Sequence, residues 1–415
     1  MSRRVIEHIV EQHAEDAAFL WLQRNRAVDA PDQYPKNLRR LDERLEAHID
    51  GLRVAGEWGW QSAERAFDQY REPGETFVAA VLAFESRSEN RLGYVLNLAV
   101  ASPELLRATV SALGWIEPYR AREWINVLLD DPLPAKRLLG LAACSVRRID
   151  PSTRLQNLLD DVPPVRARAL RLAGEIGRVD LRSDVMSALN DPDEACRFWA
   201  AWSGVLLGDR LAALEVLRAH AGASGTGWRA AELLLRAEDH RSAVDWLLSL
   251  RGDRSKERLI AAGAGIVGDT IFVPWLTTRM RDAGLSRLAG ESFASIAGIS
   301  LEDQAMSLDE PTAVDDANEP VSTPTADDNL AWPDVRKVRE WWRQNQGQFK
   351  QGTRYLQGKP LTAELLGHLF DEGTLRQRRG AALDLALGAP DAALANGAAR
   401  QFHAPAPSNS SLFIP

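Results

Sequence analysis

Gly263-Ala-Gly265-Ile-Val-Gly268 has the glycine spacing of a dinucleotide-binding loop. That motif works when a strand runs into it and a helix starts from it, because the pyrophosphate sits on the helix N-terminus. Here Arg258 to Ile266 has helical spacing and runs into the glycines, so the string reads as a helix end. The seven histidines are His8, His13, His48, His220, His240, His368 and His403, and none forms an HxxxH or HExxH face. His13 and Asp16 could share a helical face, as could His48 and Arg44, but zinc needs at least three convergent ligands. No Gly-x-Ser-x-Gly elbow occurs. The acid pairs Asp130-Asp131 and Asp160-Asp161 fall in turns, where Asp caps the next helix. No catalytic residue, metal ligand or cofactor site is expected, and the chain is not expected to be an enzyme.

Aromatic and basic residues offer a different chemistry. The chain holds 13 tryptophans. Most should fill core, but a Trp beside an Arg at the surface marks a binding anchor. Trp199 and Trp202 lie one turn apart. Trp341 and Trp342 are adjacent, so their rings point roughly 100° apart around a helix. At least one should lie off the core stripe or against the array, close to Arg336, Arg339 and Arg343. These seven residues are the candidate protein-binding surface.

The elements that would position them come from a repeat. Turn points fall at Pro73, Pro103, Pro132, Pro163, Pro192, near Gly222, at Asp253 and near Gly284. A fixed period near 30 residues marks a stacked helical array that grows along one continuous core. Each unit reads as helix, tight turn, helix. In the clearest one, Leu155, Leu158 and Leu159 close the first helix and Asp160-Asp161 turns the chain. Pro163-Pro164 then opens the second helix, where a missing N–H costs nothing. Val165, Ala169, Leu172, Ala173 and Ile176 follow at helical spacing. The expected organisation is an N-terminal helical cap over 1–60, about eight units over 61–299, an acidic disordered linker over 300–331, a helical segment over 332–400 and a loose tail over 401–415. The linker holds nine Asp or Glu and no Lys or Arg, while Trp332 to Arg379 holds ten basic residues against five acidic ones.

Composition bounds the function. Charged residues make up 26%, the formal net charge is −8 and the pI is about 5.6. That balance opposes broad phosphate contact, so no nucleic-acid partner is expected. Cys144 and Cys196 read as buried small apolar residues in a reducing compartment. No run approaches the length of a membrane span, and Met1 to His8 lacks an apolar stretch, so the expected location is cytoplasmic.

Asp161-Val-Pro-Pro-Val-Arg-Ala-Arg-Ala-Leu-Arg-Leu-Ala-Gly-Glu-Ile-Gly resembles a HEAT repeat, in the short form of phycobilisome-lyase-like arrays. The resemblance implies an all-α fold, a right-handed α-solenoid of HEAT-like hairpins with a detached C-terminal segment. It also implies an Asp/Arg ladder between units, on Asp131 and Arg137, Asp160 and Arg166, Asp191 and Arg197. Across nearly the whole chain, His13-Ala-Glu-Asp-Ala-Ala-Phe-Leu-Trp-Leu, Leu41-Asp-Glu-Arg-Leu-Glu-Ala-His-Ile-Asp-Gly-Leu and Trp332-Pro-Asp are similar to a bacterial HEAT-like family often encoded among type VI secretion genes. That similarity implies an accessory role near effector or spike loading, with secretion components as partners. A non-catalytic scaffold or adaptor is the expected function. The alternative is a HEAT-type DNA glycosylase, for which Trp199 and Asp193 supply the residue types.

Overall fold

A computed structural model describes residues 6–100, 102–222, 225–309 and 327–400. The fold is all-α and HEAT-like, and strand pairing among the described residues is limited to two antiparallel ladders of two residues per strand. The chain divides into two compact units.

The first unit holds Met1–Asp29, Gln33–Leu158 and the chain from Asn396. Its helices are α1 (Glu7–Asp29), α2 (Pro35–Ala55), α3 (Glu57–Tyr70), α4 (Pro73–Ser86), α5 (Glu89–Ala99), α6 (Pro103–Trp115), α7 (Pro118–Leu129), α8 (Pro134–Arg147) and α9 (Thr153–Asn157). Leu38, Leu45, Ile49 and Leu52 form one stripe of α2 and are fully buried, as their spacing requires. Every residue of α4 from Phe77 to Phe84 is buried. A helix apolar all round belongs inside, and α1, α3, α5 and α6 surround it. Trp21 of α1 stacks on Phe77 at 5.4 Å. The helix α3 straddles residue 60, where the cap was expected to end, and packs on α4.

The second unit holds Ala30–Asp32 and Leu159–Ala395. Its repeats supply α10 (Pro163–Glu175), α11 (Arg182–Ser187), α12 (Glu194–Leu206), α13 (Ala212–His220), α14 (Gly227–Ala237), α15 (His240–Ser249), α16 (Glu257–Val267), α17 (Val273–Arg279) and α18 (Ser286–Ala297). The second helices α10, α12, α14, α16 and α18 each pack on the next, giving one layer. Prolines open α4, α6, α8 and α10 at their first position, where Pro suits a helix start. The expected turn points thus fall at or just before the second helix of each repeat. After α18 come β1 (Ser307–Leu308), β2 (Trp332–Pro333), α19 (Val335–Asn345), β3 (Tyr355–Leu356), β4 (Lys359–Pro360), α20 (Ala363–Glu372) and α21 (Leu375–Gly388).

Two expectations need correction. The stretch 300–331 is ordered at both edges. Leu301 and Met306 are buried in the cluster around Phe293, Asp327 accepts a bidentate bond from Arg258 at 2.8 Å, and β1 pairs with β2. Two apolar side chains and one matched charge outweigh the acidic composition there. Residues 310–326 and the tail 401–415 lie outside the described residues. Nor is the segment after the linker detached. The strands β2 and β3 pack on α18, and α21 packs on α14 and α12.

Candidate functional site

The glycine string is a helix end. Gly268 follows α16 in the left-handed region, with φ +69°, and its N–H bonds Ala264 O. The acid pairs act as turn groups. Asp131 accepts from the Leu133 N–H at 2.8 Å, and Asp130 pairs with Arg154 at 2.8 Å. The expected ladder forms differently from its Asp-to-Arg spacing. Arg137 and Arg197 each donate Nη1 to the carbonyls of their own turn, Asp131 and Pro132 in one case, Asp191 and Pro192 in the other. Arg166 turns away from Asp160: it donates to the Asp161 carbonyl at 2.6 Å and holds the Asp191 carboxylate of the following repeat at 2.7 and 3.1 Å. A guanidinium has enough donors for both, so one residue closes its turn and ties two repeats.

Both cysteines are buried, and neither is in a disulfide. Burial pushes the Cys196 thiol up to about 11, with Asp191 adding to the effect, so it stays a thiol and its Sγ faces the Pro163 carbonyl. Among the histidines, the structure joins two pairs that the sequence kept apart. His13 Nδ1 and His48 Nδ1 are 3.1 Å apart, and Asp16 Oδ2 lies 3.7 Å from His48. Among the described residues no group of three or more His, Cys, Asp or Glu is placed to hold a metal. Burial lowers the His48 pKa, Asp16 opposes this, and His13 and Arg44 lower it further. The unfolded chain therefore binds this proton more readily than the folded one. The resulting stability is complete above about pH 6.5 and lost as pH falls through the lowered folded value. The expected outcome is acid-weakened packing of α1 on α2, followed by fluorescence of Trp21, with His48→Gln flattening the profile.

Trp341 and Trp342 are not free anchors. Their rings meet Phe293 edge-on at 5.9 and 6.0 Å, and Trp342 also packs on Phe349 at 5.3 Å. Phe293 is fully buried. Both rings reach the core despite their angular offset because Phe293 and Phe349 meet them from two sides. Replacing Trp341 with alanine should cost about 2 kcal/mol in chemical denaturation. A pure contact residue would leave stability unchanged. Arg336, Arg339 and Arg343 line the exposed side of α19, with Arg343 held by Glu340 at 2.7 Å.

Trp199 and Trp202 sit at 5.5 Å from each other on α12, and Trp202 is buried. Arg171 of α10 lies over the Trp199 ring at 4.6 Å, a cation–π contact, and donates Nε to Glu175 at 2.8 Å. Arg168 is 3.9 Å from Glu175. Arg236 and Arg379 approach Glu232 at 3.6 and 3.7 Å. Arg236 and Arg354 also share Asp384 of α21, the latter at 3.0 and 3.1 Å. Arg229 stands in the first turn of α14 on the same layer and is exposed. Burial, then the charges of Arg171 and Arg379, hold its guanidinium below the ordinary value, and Glu232 and Glu175 oppose the shift. Arg168, Arg171, Arg236, Arg354 and Arg379 thus approach Glu175, Glu232 and Asp384 on this layer. Sequence reasoning named Trp199 but missed these arginines. They belong to repeats tens of residues apart, and two of them to the C-terminal segment.

That segment also covers the helix ends of the second unit. The Tyr355 N–H bonds Gly268 O at 3.0 Å, Gln357 bonds Ser295 O at 2.7 Å and Leu394 bonds Glu175 O at 2.9 Å. Arg210 Nη2 donates to the Leu387 carbonyl at 2.9 Å. A Cβ added to Gly177, Gly268 or Gly298 would meet the backbone of Asp391, Tyr355 or Gln357 within 2.7 Å. In the first unit, residues 396–400 take corresponding places. Asn396 Nδ2 donates to Val146 O at 2.8 Å, and Arg400 donates to Trp115 O at 2.5 Å while lying over the Trp115 ring.

Residues 151–236 match the family model of HEAT repeats. Over that stretch the chain is similar to HEAT repeats. The HEAT match spans the clearest of the sequence units, those holding Arg166, Asp191, Trp199 and Arg229. No curated protein matches the chain. HEAT repeats point to a protein-interaction scaffold, and no described helix is long and apolar enough to cross a membrane.

Proposed function

We propose that the chain is a non-catalytic scaffold or adaptor that grips another protein, and that it serves in the cytoplasm as an accessory factor of a type VI secretion system near effector or spike loading. The observation that carries the scaffold reading is the succession of HEAT hairpins in which one second-helix layer presents an arginine-rich, aromatic surface. The secretion role is supported by the resemblance of the N-terminal helices and of the Trp332 region to the type VI-associated family. Affinity capture from the native host under secreting conditions, followed by mass spectrometry, tests it. Recovery of spike or effector components is expected, and their repeated absence would contradict the role.

The glycosylase alternative needs Asp193 free beside Trp199. The Asp193 carboxylate instead caps α12 by accepting from the Cys196 N–H at 2.9 Å, and Trp199 is packed against Phe198, Trp202 and Arg171. No salt-dependent binding of duplex DNA at micromolar protein is expected from a chain of net charge −8.

A further inference from the structure

We infer that the cleft between the α17–α18 turn, β1 and the start of α19 docks a segment of a protein partner in which carboxylates alternate with apolar side chains. This inference rests on the scaffold reading and adds to it a docking place and a partner class.

The cleft opens to solvent and has a volume of about 380 Å³. Met280, Leu308, Trp332 and Val335 give it an apolar lining, and Arg281 and Arg336 stand in its wall. Leu308 is 56% exposed, so covering it removes apolar surface from water. The Trp332 ring is held from one side by Arg287, whose guanidinium lies 4.9 Å over it. An apolar side chain of the partner thus meets a wall already in place, which keeps the ordering cost of docking low.

The wall is complementary in charge to carboxylates. Of the described lining residues only Asp334 is acidic, and it serves the helix start, accepting from the N–H groups of Arg336 and Lys337 at 3.0 and 3.3 Å. Asp282, next to Arg281, turns to the Gly284 N–H at 3.1 Å. The Arg336 side chain is 93% exposed and stands 3.9 Å from Asp334. Lys337 and Arg339 donate to the Ala305 and Thr277 carbonyls at 2.6 and 3.5 Å, contacts that orient them without neutralising their charge. Four cations of α19 stand against one acid, Glu340. Guanidinium forks match carboxylates in two-point geometry, so Arg281 and Arg336 suit acidic side chains that flank an apolar one.

A peptide fits better than a nucleic acid. Phosphates would satisfy the arginines, but a nucleic acid has nothing aliphatic to set against Met280 and Leu308. The net charge of −8 also discourages a polyanion. An extended peptide that alternates leucine with glutamate offers both chemistries at once.

The test uses the full chain and a short fluorescein-labelled peptide of alternating Leu and Glu. One control peptide has Gln in place of Glu, another has Ser in place of Leu, and a single-stranded DNA of equal length is the third. Saturable anisotropy is expected with the Leu/Glu peptide alone, weakened by salt. Arg336→Glu and Arg281→Glu should each loosen it about tenfold or more, the weight of one charge-assisted pair. Leu308→Ser should loosen it by about the same factor through lost apolar cover. Arg241→Glu makes the same change of net charge on α15, where the side chain is 91% exposed, and should leave the affinity unaltered. All variants are checked by circular dichroism for an unchanged helical spectrum. No saturable binding of the Leu/Glu peptide, equal losses in Arg241→Glu and Arg336→Glu, or tighter binding of the DNA would each overturn the assignment. Peptide binding that appears only after residues 310–326 are replaced by Gly and Ser would give the cleft to the chain's own acidic segment instead. Self-association in sedimentation velocity that Leu308→Ser abolishes would give it to a second copy, and either result overturns the partner. The capture experiment on the unaltered chain does not depend on this peptide, so the scaffold reading can survive the loss of the cleft.

Discussion

Replacing Gly268 with alanine should destabilise the second unit by about 3 kcal/mol or more, whereas the same change at Gly252 should cost roughly 1–2 kcal/mol. Both glycines have positive φ, +69° and +102°. The left-handed penalty is therefore common to the two. What differs is the surroundings. Nothing lies within 4 Å of a Cβ at Gly252, while at Gly268 it would stand 2.1 Å from the Tyr355 carbonyl oxygen. No rotamer relieves a backbone clash. The β3 chain would have to leave, surrendering the Tyr355-to-Gly268 hydrogen bond and the packing of Tyr355 on Phe349. Chemical denaturation of the two variants, followed by tryptophan fluorescence, measures the difference. Equal losses would show that the C-terminal segment does not bear on the end of α16.

Asp384→Ala is expected to be at least as damaging, at about 3–5 kcal/mol. Its side chain is 5% exposed and accepts from both Arg236 and Arg354, which are 10% and 19% exposed. Removing the carboxylate takes away the acid that Arg354 pairs with and leaves Arg236 with Glu232, which is already close to Arg379. Burying charge without a partner is far costlier than losing the pair's net attraction. Asp384→Asn keeps an acceptor but removes the charge, so its loss should be smaller. Because α21 is anchored here to α14, the α21 amides should also exchange hydrogen faster in Asp384→Ala. A change below about 1 kcal/mol would mean that this network is solvated.

The repeat was legible because it rests on local signals. Proline at a helix start and leucine at helical steps act within a few residues, so Pro103 and Pro163 each mark a helix opening without any tertiary information. The glycine string was read correctly for the same reason, since a helix running into glycine ends there. The Arg166 rung was half legible. Its spacing from Asp160 suggested a pair, but the forward reach to Asp191 depends on how repeats stack. For Trp341 and Trp342 a place off the core stripe and a place against the array both stayed open, because adjacency on a helix says nothing about what surrounds it; the aromatic neighbours come from α18 and from Phe349. The order of Leu301 to Asp309 was hidden in acidic composition, where two apolar residues sufficed. The cover of helix ends could not be read at all. It joins residues separated by as many as 215 positions, such as Gly177 and Ala392, and no periodic signal links them.

The C-terminal segment lies hydrogen-bonded along the helix ends of the repeats. Hydrogen–deuterium exchange of the full chain, resolved to peptides containing Tyr355, Gln357 and Leu394, tests it most directly. These amides donate to Gly268, Ser295 and Glu175 carbonyls, so their exchange should be slowed about a hundredfold or more relative to an unstructured peptide. Exchange of all three at the unprotected rate, while α16 and α18 remain protected, would contradict it.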